Sequence, residues 1–520
     1  MEVRSEIDLG DQLVRFLASL PRPVRHVTAD SRQVSPDTVF VAVPGNTLDG
    51  HDFVHQAIQN GAVAAVVQRP GWQLSVPWLT VDDSRLALAF ISAWLHHFPA
   101  RRLVMVGVTG TDGKTTTVNL VYRILLAAGI RAGMISTVNA DLGGRVEETG
   151  LHVTTPDAPE VQRLLADMVR LGLTHCVLEA TSHGLAQHRV AFCDFDVAVV
   201  TNITHEHLDF HGDPQSYRAA KARLFHSLSS AARKPAQAKT AVLNADDSSY
   251  VELVRIPVEQ QIGYALSGTA PYARADLTAR CIQYDRTGTC FDLVLGDQAC
   301  SVESRLVGAA NVSNILAAAG ATWALGIPLD TVRQGIADLP GIPGRMERIE
   351  GGQPFQVVVD FAHTPNALER VIETGRQTVG PRHRVITVFG SAGLRDRAKR
   401  HAMGEISARN ADLTVITAED PRTESLEAIM EEMAAGCRDG GGIEGSTFFR
   451  VPDRMRAIFH AFALARPGDL VLICGKGHEQ SMCFGTTEYP WDDRYAARQA
   501  LDALAKGSTP VNSNLPTAHP

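Results

Sequence analysis

The 520-residue chain carries only eight cysteines, and none of them forms a C-x-x-C pair. Cys176, Cys193, Cys281, Cys290, Cys300, Cys437, Cys474 and Cys483 are spaced neither as a zinc site nor as a disulfide framework. Several lie in apolar, strand-like runs, where cysteine acts as a small hydrophobe. Reduced thiols in a cytoplasmic protein are expected. No run of about 18 apolar residues occurs, which excludes a membrane-spanning helix. The opening "MEVRSEIDLGDQL" lacks the apolar core of a secretory signal. Excess basic charge is also missing: the net charge is -8. A nucleic-acid footprint needs a basic face, whereas local lysines and backbone amides still suffice to bind anionic small molecules. No solenoid repeat is present.

What remains reads as α/β throughout. At about 100–200 residues per domain, the length suggests about three domains. A composition of 45% hydrophobic and 20% charged residues is ordinary for a globular chain with a sizeable core. Residues 1–100 read as a small α/β unit. "TVFVAV" (38–43) and "AVAAVV" (62–67) are short buried strands, and "HDFVHQAIQNG" between them has helical spacing and ends on glycine. Residues 101–340 alternate strand, loop and helix, with strands in "RRLVMVGV", "THCVLEA", "DVAVVTNIT" and "AVLNADD", the pattern of a parallel sheet. The Pro- and Gly-rich "LPGIPGRMERIE" (339–350) marks the next boundary. Residues 341–506, with strands in "QVVVDFAH", "RVITVFG", "DLTVIT" and "DLVLICG", read as a second doubly wound α/β unit, and 507–520 as a disordered tail.

Residues 105–120 read "MVGVTGTDGKTTTVNL". The usual phosphate loop is G-x-x-x-x-G-K-[ST]. Gly113 and Lys114 fit it, but Val108 stands where the first glycine belongs, and the glycine comes later, at Gly110. The context is nevertheless right: an apolar strand, a turn, then a helix with Val118, Val121 and Leu125 on one face and Gly129 at its end. Backbone N–H groups and the helix dipole would hold phosphate oxygens. Lys114 would neutralise β/γ charge and the Thr115 hydroxyl would reach Mg²⁺. Gly110, Thr111, Asp112, Gly113, Lys114, Thr115 and Thr116 are therefore expected to bind ATP. A glycine turn that merely packs a strand on a helix is the plain alternative, and the Lys-Thr-Thr-Thr run argues against it.

Two further strand ends carry polar groups. Glu179 ends the apolar run in "CVLEATSHGL", and Asn202, His205, Glu206, His207, Asp209 and His211 follow the strand in "VVTNITHEHLDFHG". Open parallel sheets bind ligands at the carboxyl ends of their strands. A carboxylate there suits Mg²⁺, and a histidine ligand would suit Mn²⁺ as well. Taken singly, each histidine reads as a polar loop residue, and Lys221 in "YRAAKARLF" reads as a surface lysine.

The set changes that. "TGTDGKTTT", "EATSHGL", "TNITHEHLDFHG", "AAKARLF", "LNADD", "NVSN", "GRMERI", "VVDFAHTPNAL" and "GKGHEQ" occur in this order. Together they resemble the Mur ligases of peptidoglycan synthesis, up to about residue 505. Within that family the chain is most similar to the UDP-N-acetylmuramoyl-L-alanyl-D-glutamate ligases, which add the third residue of the stem peptide. "DSRQVSPDTVFVAVPGNTLDGHDF" looks like their uridine-nucleotide domain, and the shortened phosphate loop is the family's own spelling.

The resemblance implies three α/β domains: a small uridine-nucleotide domain, a central P-loop ATPase domain with a parallel sheet, and a Rossmann-like C-terminal domain. It also implies a reaction. ATP phosphorylates the D-glutamyl side-chain carboxylate of UDP-MurNAc-L-Ala-D-Glu, and an amino acid's amine attacks the acyl phosphate to give an amide, ADP and phosphate. Two Mg²⁺ ions would neutralise the crowded anions. By motif match, Lys114 and Thr115 contact ATP phosphates and Mg²⁺, Glu179 ligates a metal, and His207 holds the second one. Lys221 matches the lysine that the family carries as a CO₂-derived carbamate, an anion able to ligate Mg²⁺. Asn314, Arg345 and Asp360 match ATP contacts. Ser31, Asn46, Thr47 and Leu48 match uridine-nucleotide contacts, and Thr154, Thr155, Thr181, Gln187 and Arg189 match contacts to the muramoyl peptide. A monomer that closes around its substrates is expected. Three departures stand out: Asp112 where the family often has asparagine, Glu206 where it often has aspartate, and Asn366 where it usually has an acidic residue.

The amino acid added is addressed by "TAEDPRTES" (417–425). In this subfamily a D-N-P-R motif goes with meso-diaminopimelate, whose distal carboxylate its arginine pairs. Here Glu419, Asp420, Pro421 and Arg422 stand in its place. Asp420 would repel a distal carboxylate and attract a distal amine, and Arg422 would then pair with Asp420, which favours lysine or ornithine. Arg422 engaging the carboxylate of meso-diaminopimelate is the other reading. Arg395 matches the α-carboxylate contact, and Gly475 and Glu479 complete the expected site. Rival readings are a D-Ala-D-Ala-adding or folylpolyglutamate-type ligase of the same superfamily, and a catalytically inactive nucleotide-binding relative.

Overall fold

The computed structural model describes residues 2–45, 48–147, 154–204, 208–235, 237–267, 271–273, 275–284, 288–509 and 515–516, with the backbone alone at 2–7, 208 and 209. The chain divides into two compact units. One comprises Met1–Thr278, Val294–Cys300 and Ser313–Gly335, and the other Ala279–Leu293, Ser301–Val312 and Ile336–Pro520.

The first unit contains a four-stranded parallel sheet in the order His26–Thr28, Thr38–Val41, Ala62–Val67 and Trp78–Thr80. The two strands read from apolar runs are its centre, where near-continuous hydrophobicity reflects burial on both faces. Helix Val54–Gln59 connects them. Helices Glu2–Ser19 and Ser84–Leu95 complete this part. The Ser84–Leu95 helix starts where the Asp83 carboxylate accepts from the N–H groups of Arg85 (2.9 Å) and Leu86 (3.0 Å).

A second, larger sheet follows within the same unit. Its strands Gln260–Ala265, Thr240–Asn244, Val197–Val200, Val104–Thr109, His175–Glu179 and Ala132–Ile135 are neighbours in that order, all parallel. The phosphate-loop strand Val104–Thr109 is central, so its carboxyl end opens between those of its two neighbours, beside Glu179 and Val200. The small sheet's last helix packs on this part: the Phe90 ring meets Phe192 edge-on at 5.4 Å, and His188 Nε2 lies 3.3 Å from the Asp83 carboxylate. The strands Leu277–Tyr284, Thr289–Leu295 and Gln298–Ser304 follow, with residues shared between the two units.

In the second unit, strands Gln356–Asp360, Leu470–Cys474, Val385–Phe389, Leu413–Ile416 and Phe448–Arg450 pair in parallel, in that order, and Glu347–Arg348 adds an antiparallel edge. Its core includes Leu515, 8% exposed. That apolar side chain lies inside the stretch expected to be disordered, of which 510–514 and 517–520 fall outside the described residues. Among the described residues the eight cysteines form no disulfide with one another. Among the described residues no helix is long and apolar enough to cross a membrane.

Candidate active site

The phosphate loop joins strand Val104–Thr109 to helix Lys114–Ala127. Gly113 caps that helix at φ 83°, and a Cβ there would lie 2.1 Å from Asn314 Oδ1, so the loop closes onto Asn314 only because the position is glycine. Asn202 pins the loop from the neighbouring strand: its Oδ1 accepts from Asp112 N (3.1 Å) and its carbonyl from Thr111 N (2.7 Å). The Thr111 hydroxyl meets the Tyr217 hydroxyl at 2.9 Å. Lys114 is half-buried and donates to the Thr111 carbonyl at 2.8 Å, curled over the loop that it would share with a phosphate. Thr115 and Thr116 lie buried in the first helical turn.

Glu179 sits at the end of the next strand, 1% exposed. Its carboxylate accepts from Thr115 Oγ1 (3.0 Å), Thr137 Oγ1 (2.9 Å) and Thr137 N (3.0 Å). Buried carboxylates demand such donors or a cation, and an all-oxygen set of a carboxylate and hydroxyls fits Mg²⁺. The Glu179 carbonyl accepts from Thr155 Oγ1 at 2.9 Å, and Thr155 in turn meets Thr181 Oγ1 at 3.0 Å. Thr181 caps helix Ser182–Ala186 through Gly184 N. Arg189 donates to the Thr155 carbonyl (2.8 Å) and to Gln187 Oε1 (2.8 Å), and half-buried Thr154 precedes this group. The structure therefore gathers Thr155, Thr181, Gln187 and Arg189 beside Glu179.

Lys221 is not a surface lysine. It is 1% exposed on helix Pro214–Ser230, and its Nζ donates to the Gly110 carbonyl at 2.6 Å. A carbamate nitrogen keeps one N–H, so that bond is compatible with the modification. His207, with His205 and Glu206, lies outside the described residues, as do Asn46 and Thr47. Ser31 is buried beside helix Val54–Gln59, with its hydroxyl 3.3 Å from Gln56 Oε1, while Leu48 is 68% exposed.

The residues expected to bind the amino acid gather at the carboxyl ends of the second unit's strands. Glu419 to Arg422 follow strand Leu413–Ile416, and Gly475 to Glu479 follow Leu470–Cys474. Asp420 and Arg422 flank buried Pro421 with φ of 37° and 54°, left-handed values that non-glycine residues hold only where their surroundings insist. Asp420 does not pair with Arg422. Its Oδ1 accepts from Lys476 Nζ (2.9 Å) and Cys483 N (2.9 Å). Among the described residues the Arg422 guanidinium forms no ion pair, and that side chain is half-buried. The expected Asp420–Arg422 pair is thus corrected, because a buried ammonium nearby takes the aspartate first. Glu419 is 6% exposed, and a Cβ at Gly475 would lie 2.5 Å from its Oε2. Burial raises the Glu419 pKa above the ordinary carboxylate value against the pull of Lys399, Arg454 and Lys476. Arg395 is exposed, on a loop tied down by Arg400, which donates to Glu424 (2.9 Å) and to the Ala392 carbonyl (3.3 Å). Asp360 braces the strand end before Phe361, accepting from Ala362 N and Met346 N, and the Arg345 guanidinium stacks 4.5 Å over the Phe361 ring.

Sequence reasoning missed Thr137, Lys476, Arg400 and the buried Arg454–Asp493 pair. Lys476 lies inside "GKGHEQ" and Arg400 at the end of "GSAGLRDRAKR", the stretch that holds Arg395. The others are recognisable by partners that are distant along the chain.

Comparison with known proteins gives the family. Residues 23–91 match the Mur ligase family catalytic domain, 108–322 the Mur ligase middle domain, and 344–477 the Mur ligase glutamate ligase domain. A UDP-N-acetylmuramyl-tripeptide synthetase of Roseiflexus sp. (strain RS-1) is 46% identical over 491 residues, covering 92% of this chain and 95% of the relative. A UDP-N-acetylmuramoyl-L-alanyl-D-glutamate–2,6-diaminopimelate ligase of Gloeobacter violaceus is 42% identical over 478 residues, covering 91% and 93%. A solved structure of a ligase of that same name is 31% identical, with a TM-score of 0.64, and covers 93% of this chain and 96% of its own. The phosphate loop, the carboxylate beside it and the cluster at the second unit's strand ends are accordingly those of a chain that belongs to the Mur ligase family.

Proposed function

We propose that the protein joins meso-diaminopimelate to the D-glutamyl carboxylate of UDP-MurNAc-L-Ala-D-Glu at the expense of ATP. The observation that carries the ligase reading is the contact of Thr115 Oγ1 with Glu179, which joins the phosphate loop to a buried carboxylate where a nucleotide-bound cation would sit. The relatives' names supply the substrates. A carboxylate is a poor electrophile at neutral pH, and phosphorylation by ATP gives it a leaving group. Lys114 and the loop amides hold the transferred phosphoryl group, and the diamino acid's amine displaces it to form the amide. Mg²⁺, held by Thr115, Glu179 and a carbamylated Lys221, would offset the charge of phosphates and carboxylate meeting in one place. His207 is proposed as the ligand of a second ion. Residues 1–100 would take the uridine nucleotide, 101–340 ATP, and 341–506 the amino acid.

Diaminopimelate is favoured because the Arg422 guanidinium forms no ion pair among the described residues and could take a distal carboxylate. Lysine or ornithine is the second reading, supported by the Oε2 of buried Glu419, which has no hydrogen-bond partner among the described residues. The test is incubation with ATP, Mg²⁺, the UDP-linked dipeptide and each diamino acid in turn, with the nucleotide product identified by mass spectrometry. Product with lysine or ornithine alone overturns the choice of amino acid. No product with any of the three overturns the function.

A further inference from the structure

Lys476 has no exposed surface, yet it carries an ammonium. Its Nζ lies 2.9 Å from Asp420 Oδ1 and 2.5 Å from Glu479 Oε2, bridging the two loops of the amino-acid site. A buried cation is costly unless paired. Burial alone would lower its pKa, but the Glu479 and Asp420 carboxylates outweigh that and hold it above the ordinary lysine value. The 4% exposed Asp420 is likewise tolerable only with a counter-charge.

We propose that Lys476 is a specificity-positioning residue: by neutralising Asp420 it leaves Arg422 as the group that selects the distal end of the diamino acid. The proposal rests on reading this cluster as the diamino-acid site. Without the Lys476 ammonium, Asp420 would be an anion that has lost its counter-charge at 2.9 Å, two residues from Arg422. That anion would attract a distal ammonium and either repel a distal carboxylate or capture Arg422 for itself. The preference would then move from a substrate with two carboxylates to one with a distal amine alone. Lys476 touches no reacting atom in this account. It acts through Asp420, and through Glu479, which it holds at the mouth of the same cluster.

The experiment uses the full-length protein with ATP, Mg²⁺ and UDP-MurNAc-L-Ala-D-Glu, and compares kcat/KM for meso-diaminopimelate and L-lysine. Lys476→Met is expected to lower the diaminopimelate-to-lysine ratio by about tenfold or more, the effect of one partly screened charge, while KM for ATP stays within about twofold. Adding Asp420→Asn to Lys476→Met removes the uncompensated anion and is expected to return the ratio to within about threefold of wild type. A residue that only fills space would show neither the shift nor the rescue. If Lys476→Met does not fold, Asp420→Asn alone decides. It leaves Lys476 less neutralised, and the ratio must move about threefold or more toward diaminopimelate. A ratio unmoved or moved the other way in these variants overturns the proposal. A wild-type protein that takes neither diamino acid instead overturns the reading of the site on which it rests.

Discussion

The second unit's stability should depend on one ion pair. Arg454 and Asp493 are both fully buried, joined by Nε to Oδ1 at 2.7 Å and Nη2 to Oδ2 at 2.7 Å. Two further guanidinium hydrogens go to the carbonyls of Ala418 (3.0 Å) and Cys474 (2.8 Å), and the Trp491 indole N–H adds a third bond to the aspartate at 2.8 Å. Asp493→Ala would leave a guanidinium buried without a counter-charge, a loss of about 3–5 kcal/mol. At about 2–4 °C per kcal/mol for a unit of some 150–250 residues, the melting temperature should fall by about 6–20 °C. Scanning calorimetry at neutral pH reads this directly. Replacing both partners, Arg454→Met with Asp493→Leu, should recover most of the loss, because neither charge then remains to be desolvated. A drop below about 2 °C in the single variant, or a double variant no better than the single, would refute the argument. The pair also has a functional consequence. Ala418 and Cys474 directly precede Glu419 and Gly475, so the double variant, even when stable, would free both loops of the proposed amino-acid site. Its KM for the diamino acid should rise by about tenfold while that for ATP does not.

Three further outcomes follow from the geometry. Gly113→Ala puts a Cβ 2.1 Å from Asn314 Oδ1 at a φ of 83°, so ATP affinity measured by calorimetry should fall about tenfold or more, with a fall of a few degrees in melting temperature from the strain. Glu179→Gln keeps a hydrogen-bonding group near Thr115 and Thr137 but loses the charge; kcat should fall by about 10²–10³, and near-normal turnover would remove Glu179 from the proposed metal site. Asp83→Ala should cost about 1 kcal/mol at neutral pH through loss of the helix cap. Burial alone would raise the Asp83 pKa, but the bonds from His188 and the Leu86 and Arg85 amides lower it from 3.8 to about 2. Its contribution is therefore complete above about pH 4 and is lost as pH falls through about 2, so denaturant melts of wild type and variant should converge across that window.

Much of this was legible in the sequence because the relevant patterns are local. "LVMVGV" followed by "TGTDGKTTT" specifies a strand, a turn and a helix N-terminus within a few residues, and the structure places each there. Glu179 was legible because an acidic residue ending an apolar run marks a strand's carboxyl end. The helices at Glu2–Ser19 and Ser84–Leu95 went unread, although "DDSR" carries a capping aspartate at the start of the second. Lys221 shows the limit of single positions: the same residue type in the same helical pattern is usually solvated, and only the resemblance separated it from that default.

Asp420 shows why the rest was not legible. An aspartate where an asparagine is usual changes the local charge, and a reader of the sequence must guess what answers it. The nearest cation along the chain is Arg422, and the guess falls there. The fold supplies a different one, 56 residues away, because parallel strands Leu413–Ile416 and Leu470–Cys474 deliver their following loops to the same end of one sheet. Separation along the chain gives no measure of distance at such an end. A buried lysine is also easily misread, since its type suggests solvent until its partners are known. The chemical meaning of a substitution in this family therefore lies in the pair it forms. For this chain, that pair is Asp420 with Lys476.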